Sequence, residues 1–305
     1  VMLAGSTRPF LYSEYSTTIT NAHQLQLMAL DLNADYRVTR DIAASATAGS
    51  DLSGMWSTAG FSPIGNTSTF FTGAFAGLGH TIGELTIARP TQDGVGLFGA
   101  TGNGAAIRDI GLREINITGH NYVGGLVGAA IDSDIAANYA TGQVTGNGAV
   151  GGLVGYADGS NIAASYATGQ VTGDTFVGGL VGIADRSDIA TSYATGQVTG
   201  NNYVGGLVGY NWNGSISDAF RATTDANGDP INTGWNSFGT GRTWDQLTQL
   251  DTFVGWDIDG QGDTDTVWRI YEGHTTPLLR GFLTPVTVTA NDATATYDGT
   301  VHTSG

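Results

Sequence analysis

The hexapeptide Val-Gly-Gly-Leu-Val-Gly occurs four times, at Val123–Gly128, Val150–Gly155, Val177–Gly182 and Val204–Gly209, and the spacing is 27 residues each time. Between the copies the text repeats almost as closely, from Ile135 to Thr145, from Ile162 to Thr172 and from Ile189 to Thr199. A fixed period of this length means stacked structural units, each touching only its neighbours. Short apolar stretches broken by Gly, Asn and Asp make those units strands and turns. Helix is excluded because each strand-length carries two glycines and no run of helix formers. The expectation is an all-β chain, a right-handed parallel β-helix, with coils stacked about 4.8 Å apart.

Stacking turns each repeat position into a ladder. Leu126, Leu153, Leu180 and Leu207 form one, and Ile135, Ile162, Ile189 and Ile216 another; both are expected inside. Tyr139, Tyr166, Tyr193 and Phe220 form an aromatic stack. Ile135, Ala137 and Tyr139 share a parity, so the tyrosines are expected to point inward with the isoleucines. The glycine pairs are expected to serve either a bend at positive φ or a close backbone approach. Polar rows of Gln143, Gln170 and Gln197 beside Thr145, Thr172 and Thr199 read as an ordinary outward strand face, with Thr chosen for strand propensity.

The solenoid is read over residues 36–225, with clean copies over 122–220 and a degenerate core at Val95–Gly99. Residues 1–35 are a lead-in with a short helix across Thr20–Leu30. Residues 226–283, rich in Trp and Asp, are read as a cap over the open end of the stack. An uncovered strand edge invites pairing with other chains. Residues 284–305 begin a fresh alternation after a proline and read as the truncated start of a second β domain. No signal peptide is evident at the start, and both ends look like cuts through a longer chain.

Composition narrows the chemistry. The chain has no Cys, and its 11 basic residues, all Arg, face 27 acidic ones for a formal charge of −16. That balance opposes nucleic acid and anionic lipid as partners, and no apolar run is long enough to insert in a membrane. The four Glu and five His are scattered; Arg108 and Arg113 flank Asp109 and Glu114 as a solvated ion-pair face. No nucleophile elbow is present. No catalytic residue is therefore assigned, and the chain is expected not to be an enzyme. The cation candidate is the loop carrying Asp257, Asp259, Asp263 and Asp265 at alternate positions around two glycines, a pattern that suits calcium. Asp225 and Asp229 repeat it more briefly.

The motifs also carry a family resemblance. Val-Gly-Gly-Leu-Val-Gly followed by Ser-Tyr-Ala-Thr-Gly resembles the GLUG repeat of large bacterial exported proteins. Phe71–Ile87 followed by Val95–Gly99 is similar to the segment preceding such repeats in filamentous-haemagglutinin-like adhesins. Val286–Gly299, ending in Tyr297-Asp-Gly, resembles the opening of the YDG-type β-sandwich modules that follow such solenoids. The resemblance implies a structural or adhesive segment of a secreted or surface-displayed bacterial exoprotein. It implies a stiff stalk in contact with a host-cell, glycan or neighbouring-cell ligand. Two alternatives stand beside it: a β-helix enzyme acting on polysaccharide, and an ice- or glycan-binding solenoid using its Thr or Tyr ladders.

Overall fold

The computed structural model describes residues 9, 11–49, 54–232, 236–262 and 265–284. The proposed second β domain lies almost wholly outside these residues, as do Asp263 and His302. The described chain winds into a parallel β-solenoid whose register is set by the 27-residue period: Val123 pairs with Val150, Val154 with Val181, Ile135 with Ile162 and Tyr139 with Tyr166. One five-stranded sheet takes a strand from each coil, from Phe98–Thr101 to Val208–Trp212, so it counts about five turns. Winding starts earlier than residue 36, because Thr18–Ile19 already pairs in parallel with Tyr36–Val38. The expected helix is present but short: Ala22–Leu27, capped by the Asn21 side chain accepting from the Gln24 amide, then a 3-10 turn at Met28–Leu30.

A single apolar core runs the length of the stack, from Ile19 to Ala219. The leucine ladder is fully buried, and so are Ile135, Ile162 and Ile189; Ile216, in the last coil, is half-buried. Deleting one such side chain removes its transfer energy and leaves a cavity between two coils, at a cost of about 2–5 kcal/mol.

The bends are made differently from expectation. Positive φ does not fall on the paired glycines; it falls on Ala137, Ala164, Thr191 and Asp218 in one row and on Asp132, Gly159, Arg186 and Asn213 in another. A side chain in this left-handed region costs roughly 1–2 kcal/mol, so something must hold it there. The next residue does so. Ser133, Ser160 and Ser187 follow one row and Asn138, Ser165 and Ser192 the other, all buried. Ser165 Oγ accepts from the Asn138 amide at 3.1 Å, Ser192 Oγ from the Ser165 amide at 3.1 Å, and Ser160 Oγ from the Ser133 amide at 3.1 Å. The bends followed by Asn138, Ser160, Ser165, Ser187 and Ser192 thus tuck a short polar side chain inside, where it satisfies an amide of the preceding coil that water cannot reach; the last coil has Gly214 and Ala219 at these places.

The paired glycines serve close approach instead. A Cβ on Gly151 would lie 2.0 Å from the Val154 carbonyl oxygen, and one on Gly152 would lie 2.2 Å from that of Gly179. The two short strands of each hexapeptide therefore fold against each other with no side chain between them.

The left-handed residue also overturns the parity expectation for the tyrosines. The strand turns at Ala137, so Tyr139 leaves the side that Ile135 faces and joins a second core outside the solenoid interior. Tyr139, Tyr166 and Tyr193 stack at 5.0 Å with rings within 6° of parallel, matching the coil spacing. The column ends on Gly111, where a Cβ would meet the Tyr139 ring at 2.4 Å.

Residues 236–242 lie across the last coil: Thr240–Arg242 pairs in parallel with Phe220–Ala222, and Asn236 Nδ2 donates to the Gly209 carbonyl. A capping box at Thr243 then starts the helix Trp244–Leu247. The chain runs back along the flank and lays Phe253, Trp256, Trp268, Ile270 and Leu279 over the tyrosine column. Tyr193 donates its hydroxyl to the Pro277 carbonyl at 2.6 Å, and Phe282 meets the Tyr139 ring edge-on at 4.9 Å.

Candidate functional site: an exposed aromatic face

The acidic loop is organised by its own chain. Asp259 accepts from the Gln261 amide at 3.0 Å and pairs with Arg269 at 2.5 Å, while Asp257 accepts from the Val267 amide at 3.1 Å. Asp225 accepts from the Asn227 and Asp229 amides, an ordinary turn. Among the described residues no three His, Asp or Glu side chains gather as a metal site. Arg108 pairs with Asp134 and Arg113 with Glu114 on the exposed surface, and His23, His80 and His120 each sit beside a separate carboxylate. These groups are dispersed over the solenoid rather than brought together.

What does converge is aromatic. The residue before each Val-Gly-Gly-Leu-Val-Gly is Tyr122, Ala149, Phe176 or Tyr203, and all four hold positive φ, between 51° and 58°. In the coil before them the equivalent place is taken by Gly94, also at positive φ, whose neighbour Val95 pairs with Val123. A glycine there carries no steric cost, whereas an aromatic is an outlier. The left-handed backbone turns the Tyr122, Phe176 and Tyr203 side chains toward the surface, while Ala149 stays buried.

On the adjoining strand Tyr156, Ile183 and Tyr210 stand in register and complete the face. Tyr122 lies 5.4 Å from Tyr156. Phe176 stacks on Tyr203 at 4.9 Å, and Tyr210 meets Phe176 at 5.6 Å, Tyr203 at 5.4 Å and Trp212 at 6.3 Å. Tyr122, Tyr203 and Trp212 are 36%, 48% and 56% exposed. Partial burial, with Asp158 and Asp185 nearby, pushes the Tyr156 hydroxyl above the usual phenol range.

Two residues earlier along each coil runs a polar row, His120, Asn147, Asp174 and Asn201, joined from coil to coil. The Asn147 amide donates to the His120 carbonyl, the Asp174 amide to the Asn147 carbonyl, and Asn201 Nδ2 to the Asp174 carboxylate at 2.6 Å. Coils with an aromatic at this place thus present it beside a hydrogen-bonding group, whereas Ala149 is buried at 2% exposure.

Sequence reasoning missed this face because it followed the rows of identical residues and gave no role to the varying residue before the hexapeptide. The available signal was an aromatic recurring at 27-residue spacing beside Asn or Asp. The tyrosine ladder it did single out is covered by the C-terminal segment.

Comparison with known proteins places this geometry. The GLUG motif model matches residues 146–172, 175–199 and 200–220. Halomucin of Haloquadratum walsbyi is 41% identical over 102 residues, 32% of this chain and 1% of that protein; the chain spans a small fraction of the relative it matches. Among solved structures, a candidate immunoglobulin A1 protease from Bacteroides ovatus superposes with a TM-score of 0.62 at 18% identity, covering 87% of this chain and 92% of that one. A second chain, named IgA1 Protease, matches with a TM-score of 0.48 at 17% identity over 77% of this chain and 22% of its own. The expectation that the chain is not an enzyme is corrected here. A fold shared along most of both chains with a protein named as a protease does not separate stalk from enzyme, and scattered carboxylates are no ground for doing so. The likeness itself shows the fold. Residues 146–220 are GLUG repeats, and the solenoid they build is all-β and mostly parallel.

Proposed function

We propose that this chain is a rigid segment of a much larger surface-displayed protein, related to the filamentous-haemagglutinin-like adhesins, and that the aromatic face is its contact surface. The observation that carries the reading is the row at Tyr122, Phe176 and Tyr203, large side chains held outward on a strained backbone where a neighbouring coil uses glycine. The continuous core supports the stalk role, since it runs from Ile19 to Ala219 and the repeat coils add leucine, isoleucine and serine ladders to it. The match to a far longer mucin-named protein supports a large extracellular parent. Antibody raised against residues 122–220 should label intact cells of the source organism, and labelling only after lysis would refute surface display.

A second reading comes from the Bacteroides ovatus neighbour, whose name implies cleavage of immunoglobulin A1. Incubation of the chain with that immunoglobulin, read as new fragments on a gel, tests it directly.

A further inference from the structure

We infer that the aromatic face contains a subsite for one neutral pyranose sugar, seated over Ala149. This rests on the contact-surface reading above and names the chemistry of its ligand. The aromatic row is interrupted once: Tyr122 and Phe176 bracket Ala149, whose short side chain is buried at 2% exposure and leaves the space between the two rings to be filled from outside. Coils are about 4.8 Å apart, so the rows carrying Tyr122 and Phe176 stand ~9.6 Å apart. A saturated six-membered ring held at van der Waals distance from a wall on each side needs ~8 Å. The gap opens onto a shallow surface depression of about 340 Å³ that Ile183 also lines.

The rim decides which ring fits. Asn121, Asn147 and Asp174 border the cavity, and no Arg or His lines it. Carboxamide and carboxylate groups bond the hydroxyls of a neutral sugar, and the aromatic walls meet its C–H faces. A sulfated or uronic sugar would meet Asp174 with no cation to offset it, on a chain of charge −16. A proline-rich peptide also stacks on aromatics, but it needs a groove running over several residues, whereas the next coils bring Phe176 and Tyr203 into contact and close the row.

Ala149→Tyr is the test variant. It restores the side chain type that neighbouring coils already hold at the same φ, so it fills the gap without asking the backbone for anything new. Full-length chain is applied to an array of neutral, sulfated, uronic and sialylated glycans, with a proline-rich peptide as competitor. Wild type should bind neutral glycans, Ala149→Tyr should lose at least tenfold, and Asn147→Ala should lose several-fold, with unchanged circular dichroism and melting temperature. Binding confined to acidic glycans overturns the inference, as does displacement by the peptide or neutral-glycan binding that Ala149→Tyr leaves intact. Wild type that adheres to cells but recognises no neutral glycan also overturns it and leaves the contact-surface reading standing; failure of both assays removes both.

Discussion

Ser165→Ala isolates the device that holds the bends. Ser165 Oγ accepts from the Asn138 amide and donates to the Ala163 carbonyl at 2.8 Å, and the site is fully buried. The carbonyl keeps a second partner, the Ala137 amide at 3.1 Å, so its loss is partial. The Asn138 amide is left facing a methyl group. A buried donor without a partner costs about 1–3 kcal/mol, and Ala removes little packing volume, so the expected loss is ~2 kcal/mol. Solenoids unfold by neighbour-coupled units rather than in one step. Two readouts are therefore needed: the urea midpoint, and amide hydrogen exchange at Asn138. The midpoint should fall, and exchange at Asn138 should speed by roughly 30-fold, which is what ~2 kcal/mol of local opening represents. Exposed Ser68→Ala, in the Asn66–Thr69 turn and outside the serine ladder, should move neither. A change below about 0.5 kcal/mol, with Asn138 still protected, would refute the argument that the serine ladder supports the left-handed row.

Further outcomes follow from the same geometry. Gly151→Ala should prevent folding, since its methyl would stand 2.0 Å from a backbone oxygen; Ala137→Gly, at a positive-φ site, should be neutral or stabilise by up to ~1 kcal/mol. Trp268→Ala should cost about 3–5 kcal/mol and expose residues 243–282 to limited proteolysis while the coil signal in far-ultraviolet dichroism persists. Alkali should release the same segment. Burial raises the pKa of Tyr139, Tyr166 and Tyr193 above their unfolded value near 10, so the native state keeps protons that the unfolded state gives up. Their contribution is complete below that value and declines as pH rises above it. Tyr139→Phe with Tyr166→Phe should flatten the loss measured between pH 9 and 12.

The parts of the fold legible in the sequence are those where one residue type answers one need. Leucine at 126, 153, 180 and 207 has only the core to go to, and the period alone sets the register. The bends were illegible because they place Ala, Thr, Asp and Arg where glycine is the textual signal for positive φ, while the glycines that are present answer a different need, closeness. Once a bend at Ala137 goes unseen, period-two parity sends Tyr139 to the wrong side. The cover over the tyrosines was beyond reach for another reason: residues 253–282 meet Tyr139 and Tyr193 across more than 60 positions with no repeat to align them. The aromatic face had a repeat, but a gapped one, with Ala149 standing where an aromatic would have completed the pattern.

The contact-surface claim is most directly tested by flow adhesion. Beads coated with wild-type chain, or with a Tyr203→Ser, Trp212→Ser variant, are passed over intact cells of the source organism and the retained fraction is measured. Both substituted side chains are about half exposed, so the variant should keep its melting temperature. The account predicts retention of wild-type beads and its loss with the variant; equal retention of the two would contradict it.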